Sequence, residues 1–408
     1  MRRLLVAVRD LDPPGGGAER SLAALIGGVA SSGPLLETAP AYTPLDPSPP
    51  AEGNPAWSVE AFASSDRGTP LGLLAPEVNV HRRPLRIEGA WSKVAWTLRE
   101  RGGEGRPRRW AHARHLARRN AMFEREVHRW LDAVGTEGIG VTQLEWAAGA
   151  ASAFASRGVP WVLFVRDETV FRFPHLYRSA VEGAAMVCAA GEGLLEQVRG
   201  AFDVQATCSV PLPVDFATRF GTRQRVDEQR AKGLASRDMS KPRIGIMVVT
   251  PEKGLATYLR LLPALAEAWP EAEVHVAGGS AFPQQLGRHP NATALGHVDA
   301  ASFFSGLDVH VILFSSTGSW GRVISEAGLF GVPSVTNDIG SQKEALGAGG
   351  VLVDREVDID DLIAALRSAY DNKERLGALA QSHTAAVDHR RSIAAFRSGL
   401  EALHARFG

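Results

Sequence analysis

The chain's 408 residues exceed what one hydrophobic core usually organises, because cores stop growing near ~250–300 residues, so two domains are expected. Hydrophobic residues at 45% and charged residues at 22% exclude wholesale disorder, while 45 Lys+Arg against 45 Asp+Glu exclude a uniformly basic nucleic-acid binder or an acidic tail protein. Cys188 and Cys208 are too few for a disulfide scaffold and lack companions at metal-ligand spacing, which predicts reduced thiols, no metal site and a cytoplasmic setting.

The first residues form an apolar run too short for a secretion signal and read as a strand at Leu4–Val8. A glycine run, Gly15–Gly17, then opens a helix at Ala18–Val29. Residues 38–69, rich in Pro, Ser, Ala and Gly, predict long loop around short strands. His81–Trp130 holds 13 Arg and one Lys against five Glu, a net +9 that the rest of the chain balances. Within it, Trp110, Leu116, Phe123, Val127 and Trp130 recur at near-helical spacing, predicting an amphipathic helix from about Arg108 to Leu131. Strands follow near Gly140–Gln143, Trp161–Val165, Met186–Ala189 and Thr207–Val210, with helices at Trp146–Ser156 and Glu192–Ala201.

Phe216–Lys241 is polar, charged and aperiodic, the composition of a linker. The alternation restarts with strand Arg243–Val248, helix Gly254–Trp269, strand Glu273–Ala277, helix Ala300–Gly306, strand Val309–Leu313 and helix Arg322–Phe330. Strand Ser334–Thr336, helix Gln342–Leu346, strand Val351–Val353 and helices Ile359–Tyr370 and Ser392–Phe407 close the chain. Such alternation predicts an α/β protein with two Rossmann-like β/α/β domains facing each other across a cleft, at 1–213 and 242–390, joined by a hinge at 214–241. No run of ~20 apolar residues is present to span a membrane.

Three strand ends carry candidate chemistry, since ligands of parallel sheets bind at the carboxyl ends of strands. After the first strand, Gly15, Gly16 and Gly17 either let a phosphate approach the helix N-terminus or form a turn that binds nothing. Thr250-Pro-Glu-Lys253-Gly254 places a lysine between strand and helix, to hold a diphosphate or simply to face solvent. Trp320-Gly321-Arg322-Val323 leads into a helix with Glu326 one turn inside. Its backbone N–H groups suit an anion and Glu326 a sugar or ribose hydroxyl, unless the acid merely favours the helix start.

Together these segments resemble the retaining, nucleotide-sugar-dependent glycosyltransferases of the GT-B fold, family 4. The likeness runs through the glycine loop, Thr142-Gln-Leu-Glu-Trp, Val165-Arg166-Asp167, Pro251-Glu-Lys253-Gly254, Leu295-Gly-His-Val298-Asp299 and Gly321-Arg-Val-Ile-Ser-Glu326…Gly331-Val-Pro333. The resemblance implies an acceptor-binding first domain, a donor-binding second domain and a terminal helix, 391–408, that crosses back to the first. It further implies that Glu326 holds the ribose, Lys253 the diphosphate, the backbone of Trp320–Val323 the phosphates and donor sugar, and that Val298 borders the base. The co-substrate is then a UDP or GDP sugar, no cofactor or essential metal is needed, and the leaving diphosphate takes the acceptor's proton with retention of configuration. The acceptor is a hydroxyl of a natural product or a cell-envelope glycan.

Three departures stand out. Gly318 occupies the place of the first of the family's paired glutamates, Val248 that of a phosphate-binding Arg, and Arg166 that of a His facing the donor sugar. Arg322 is a candidate to supply the missing charge. An altered donor, a substitute from another segment, or a protein that binds nucleotide without transferring sugar are the readings open. The basic segment 81–130 likewise reads as the seat of an anionic acceptor, as a peripheral contact with the inner membrane face, or as a solvated helix; nucleic acid ranks below these.

Overall fold

The computed structural model describes residues 2–11, 17–30, 57–64, 74, 77–85, 106–211, 220–247, 253–278, 282–315, 320–387 and 389–408. They form two compact units, one from the described residues up to 211 together with His389–Gly408, the other from 220–387.

The first unit is built on seven parallel strands: β1 (Arg3–Val8), β2 (Ser58–Ala63), β3 (Val78–Arg82), β4 (Ile139–Gln143), β5 (Trp161–Val165), β6 (Met186–Ala189) and β7 (Thr207–Ser209), in the order β3-β2-β1-β4-β5-β6-β7. The central strands are apolar without interruption because both faces are covered. Leu4, Val6 and Val8 meet the helices Gly17–Ala30 and His389–Phe407, while Leu5 and Ala7 join the core containing Phe123, Val127 and Phe154. The predicted amphipathic helix spans Arg106–Val134, with Leu116, Phe123, Val127, Trp130 and Leu131 buried. On its opposite side Arg114, Arg118, Arg125 and Arg129 face solvent and Trp110 is 63% exposed. Arg83 and Arg129 pair with Glu126 inside the segment, and part of the net +9 is met from outside it by Glu145, which pairs with Arg119 at 3.0 Å.

The second unit carries six parallel strands, β8 (Arg243–Met247), β9 (Glu273–Ala277), β10 (Ala292–Gly296), β11 (Val309–Ile312), β12 (Ser334–Asn337) and β13 (Gly350–Val353), in the order β10-β9-β8-β11-β12-β13. In each sheet the winding direction reverses once, between β1 and β4 in the first and between β8 and β11 in the second. Such reversals open a crevice at the carboxyl ends of the flanking strands. Two parallel Rossmann-like units and a long last helix belonging to the first are the features of the GT-B fold.

The segment expected as a linker differs from expectation, for it contains a helix, Arg223–Ala235, capped by the Thr222 hydroxyl. Arg230 donates to the carbonyls of Phe304, Ser305 and Leu307, which end the helix Ala300–Ser305, and Gly233 approaches the Ser305 backbone too closely for a Cβ. Val226 is its one buried apolar side chain, so a helix held by polar contacts left no periodicity in the sequence. The terminal helix, His389–Phe407, seats Ile393, Phe396, Leu400 and Leu403 in the first unit's core, and Arg397 donates to the Gly28 carbonyl at 2.9 Å. Among the described residues no helix is long and apolar enough to cross a membrane.

Candidate functional site

In the second unit the crevice lies between the ends of β8 and β11. Gly254, with φ of 75°, caps the helix Leu255–Ala268, and a Cβ there would stand 2.9 Å from the Leu313 Cβ. Only glycine adopts this conformation at little cost, and only glycine lets the helix start approach the strand end this closely. One turn on, the Tyr258 hydroxyl accepts the Leu313 N–H at 2.9 Å, and burial raises its pKa far above the usual phenol range, so it stays protonated. Lys253 therefore sits at the head of a helix locked to the end of β11, where the sequence motif placed it.

The chain beyond β11 is held from its other side by Asn337, 3% exposed at the end of β12. Its amide accepts the Phe314 N–H at 2.9 Å, donates to the Phe314 carbonyl at 2.8 Å and reaches the Arg355 carbonyl at 3.2 Å. The strand end is thus fixed by a two-way amide pair, which motif reading did not single out because Asn337 lies in sequence beyond the glycine-rich turn it serves.

Gly321, at φ of 67°, then turns the chain into the helix Arg322–Leu329. Trp320 is 4% exposed and its indole N–H donates to the Ser325 hydroxyl at 3.0 Å, so the side chain supports the helix from beneath. Glu326 is 3% exposed, and its Oε1 stands 3.6 Å from Nη2 of Arg322 one turn earlier. The first turn thereby offers backbone N–H donors at its open end and a carboxylate steadied by a guanidinium. Val323 is half-buried in the same turn. Val298 is also half-buried, in the turn after the edge strand β10, immediately before Asp299, whose carboxylate caps the helix Ala300–Ser305. Lys253 and the stretch Trp320–Glu326 thus lie at adjacent strands, while Val298 follows β10, two strands from β8 and three from β11.

In the first unit, Gly17 opens the helix Gly17–Ala30, and Arg166 follows β5. Arg166 is 4% exposed, its Nε donates to Oε1 of Gln143 at 3.2 Å, and its guanidinium lies 4.5 Å from the centre of the Phe164 ring. Burial lowers its pKa to about 10, which leaves it charged at neutral pH. Neither neighbouring acid pairs with it: Asp167 accepts the Thr169 N–H, and Glu168 pairs with Arg172. Gly15, Gly16, Thr250, Val248 and Gly318 lie outside the described residues.

Residues 243–372 match the model of the family described as glycosyl transferases group 1, so the second unit carries a domain of that enzyme family. Among curated proteins none matches the chain. Solved structures resemble it along nearly its whole length. Sucrose-phosphate synthase from Thermosynechococcus elongatus is 15% identical with a TM-score of 0.68, covering 100% of both chains. HepE from Anabaena, solved with UDP and glucose, is 15% identical with a TM-score of 0.66, covering 98% of this chain and 100% of its own. Trehalose-6-phosphate from E. coli bound with UDP-2-fluoro glucose is 13% identical with a TM-score of 0.63, covering 98% of this chain and 99% of its own. Identities this low speak for the fold, which is GT-B, with a glycosyl transferases group 1 domain as its second unit.

Proposed function

We propose that the protein transfers a sugar, with retention of configuration, from a UDP-sugar to a hydroxyl acceptor. The observation that carries this reading is Glu326, buried one turn inside a helix whose start, at a left-handed Gly321, borders the same crevice as Lys253. In this reading Glu326 accepts the ribose hydroxyls, held in aim by Arg322, while the amides of Gly321–Val323 and the Lys253 ammonium hold the diphosphate. Charge building on the departing diphosphate is met by these groups, and the diphosphate oxygen removes the acceptor's proton on the same face. Arg322 serves in place of the arginine that Val248 replaces. UDP is favoured because HepE was solved with UDP and the E. coli structure with UDP-2-fluoro glucose.

Calorimetry with UDP and a transfer assay over a nucleotide-sugar panel test the reading. Glu326→Ala is expected to weaken UDP about ten- to a hundredfold, the worth of a charged hydrogen bond or two, and Lys253→Ala to depress turnover. Near-normal affinity and rate in both variants would overturn it. UDP binding with neither transfer nor donor hydrolysis would instead identify a ligand-binding protein that lost transfer with the glutamate that Gly318 replaces.

A further inference from the structure

Among the described residues, Arg166 is the arginine whose two terminal guanidinium nitrogens are both buried and unbonded. Among the described residues its Nη1 and Nη2 have no hydrogen-bond partner, and neither has Nε2 of Gln143, the residue that holds its Nε. Among the described residues no acid pairs with the guanidinium directly. The Cys188 thiol is pushed by burial well above its ordinary pKa and is neutral at physiological pH, and Glu19, in the first turn of the helix Gly17–Ala30, acts on the guanidinium only through its field. A buried cation with its fork unmade is costly, and proteins rarely keep one without an anion to meet it.

Its position is that of a ligand site. Gln143 ends β4 and Arg166 follows β5, next to the reversal between β1 and β4, and the 14-residue helix Gly17–Ala30, which follows β1, has its positive end on that side. The turn that presents Gln143 is rigid. Leu144 is the only described non-glycine residue in the left-handed region, at φ of 61°. The following carbonyl, of Glu145, is fixed by Asn120 Nδ2 at 2.8 Å and the Tyr177 hydroxyl at 2.7 Å. The free edge of Arg166 is the planar pair of donors that meets a carboxylate or phosphate with two parallel hydrogen bonds.

We propose that Arg166, assisted by Gln143, binds a carboxylate or phosphate group of the acceptor, so that the first unit selects an anionic acceptor. The word acceptor rests on the transferase reading; the anion site does not. The test is calorimetry on the full chain, at constant ionic strength, with inorganic phosphate and with glucuronate as probes, on the wild type, Arg166→Met and Arg166→Lys. Saturable binding of at least one probe is expected, the better-bound one showing whether phosphate or carboxylate is preferred. Arg166→Met is expected to lose at least about tenfold in affinity, and Arg166→Lys, which keeps charge without the fork, to fall between. Equal affinity in Arg166→Met, or no saturable binding of either probe, overturns the site. UDP titration separates the two readings. Unchanged UDP affinity in Arg166→Met supports the acceptor assignment, whereas its loss would assign the guanidinium to the donor and overturn it. If Glu326→Ala keeps UDP affinity while Arg166→Met loses the anion, the anion site stands and the transferase reading falls.

Discussion

Asp308 and Arg166 are both buried charges at the ends of parallel strands, one in each unit, and they are treated in opposite ways. Asp308 precedes β11, at the amino end of the sheet. Arg237 meets its two oxygens at 2.6 Å each, Lys373 approaches at 2.9 Å and the Arg243 amide at 2.8 Å. Arg166 follows β5, at the carboxyl end, and donates one hydrogen bond, to the neutral amide of Gln143. The amino ends of parallel strands are where a sheet is stitched together, and the carboxyl ends are where it meets ligands. A saturated charge at the first and an unsaturated one at the second are what scaffold and site would each require.

That contrast can be broken by mutation. The largest effect is expected from Asp308→Ala, which strands the buried Arg237: about 3–5 kcal/mol lost in urea denaturation, the usual result of removing one partner from a buried pair. A loss below about 1 kcal/mol would show that the network is not structural. Acid should reveal the same group. Burial opposes ionisation of Asp308, yet its bonds to Arg237, Lys373 and the Arg243 amide prevail and hold its pKa below the usual carboxylate range. Its contribution is therefore complete above the unfolded value near ~3.9 and disappears as pH falls through the lower folded value. The stability gap between wild type and Asp308→Asn should accordingly narrow below about pH 4. The smallest effect belongs to Arg166→Met: a change within about 1 kcal/mol, toward greater stability, because a buried cation without a counter-ion gives way to an apolar chain of similar length. A loss as large as that of Asp308→Ala would place Arg166 with the scaffold.

Both features bear on how much the sequence discloses. Strands buried on both faces, such as Trp161–Val165, and glycines that punctuate strand ends, such as Gly254 and Gly321, are visible as short apolar runs with breaks. The places of Lys253 and Glu326 beside helix starts are legible because each lies close to such a break. The edge strand β10 is largely half-exposed and carries no comparable run. The helix Arg223–Ala235 was invisible because arginine-to-carbonyl bonds hold it, and a partner 74 or 75 residues away leaves no local pattern. Asn337, Tyr258 and Gln143 escaped for the same reason. Their work is done on the backbone or side chain of another strand's end, so only the paired sheet brings donor and acceptor together.

The place of the helix His389–Phe407 has a consequence for the order of biosynthesis. One face of the first sheet, covered in part by the helix Gly17–Ala30, stays incompletely covered until Ile393, Phe396, Leu400 and Leu403 leave the ribosome, after every residue of the second unit has been made. The amino-terminal unit therefore matures last, against the usual amino-to-carboxyl order of domain folding. During that interval Phe164 lacks its edge-on partner Phe396, so the ring beneath Arg166 is fully packed only after the second unit has been synthesised.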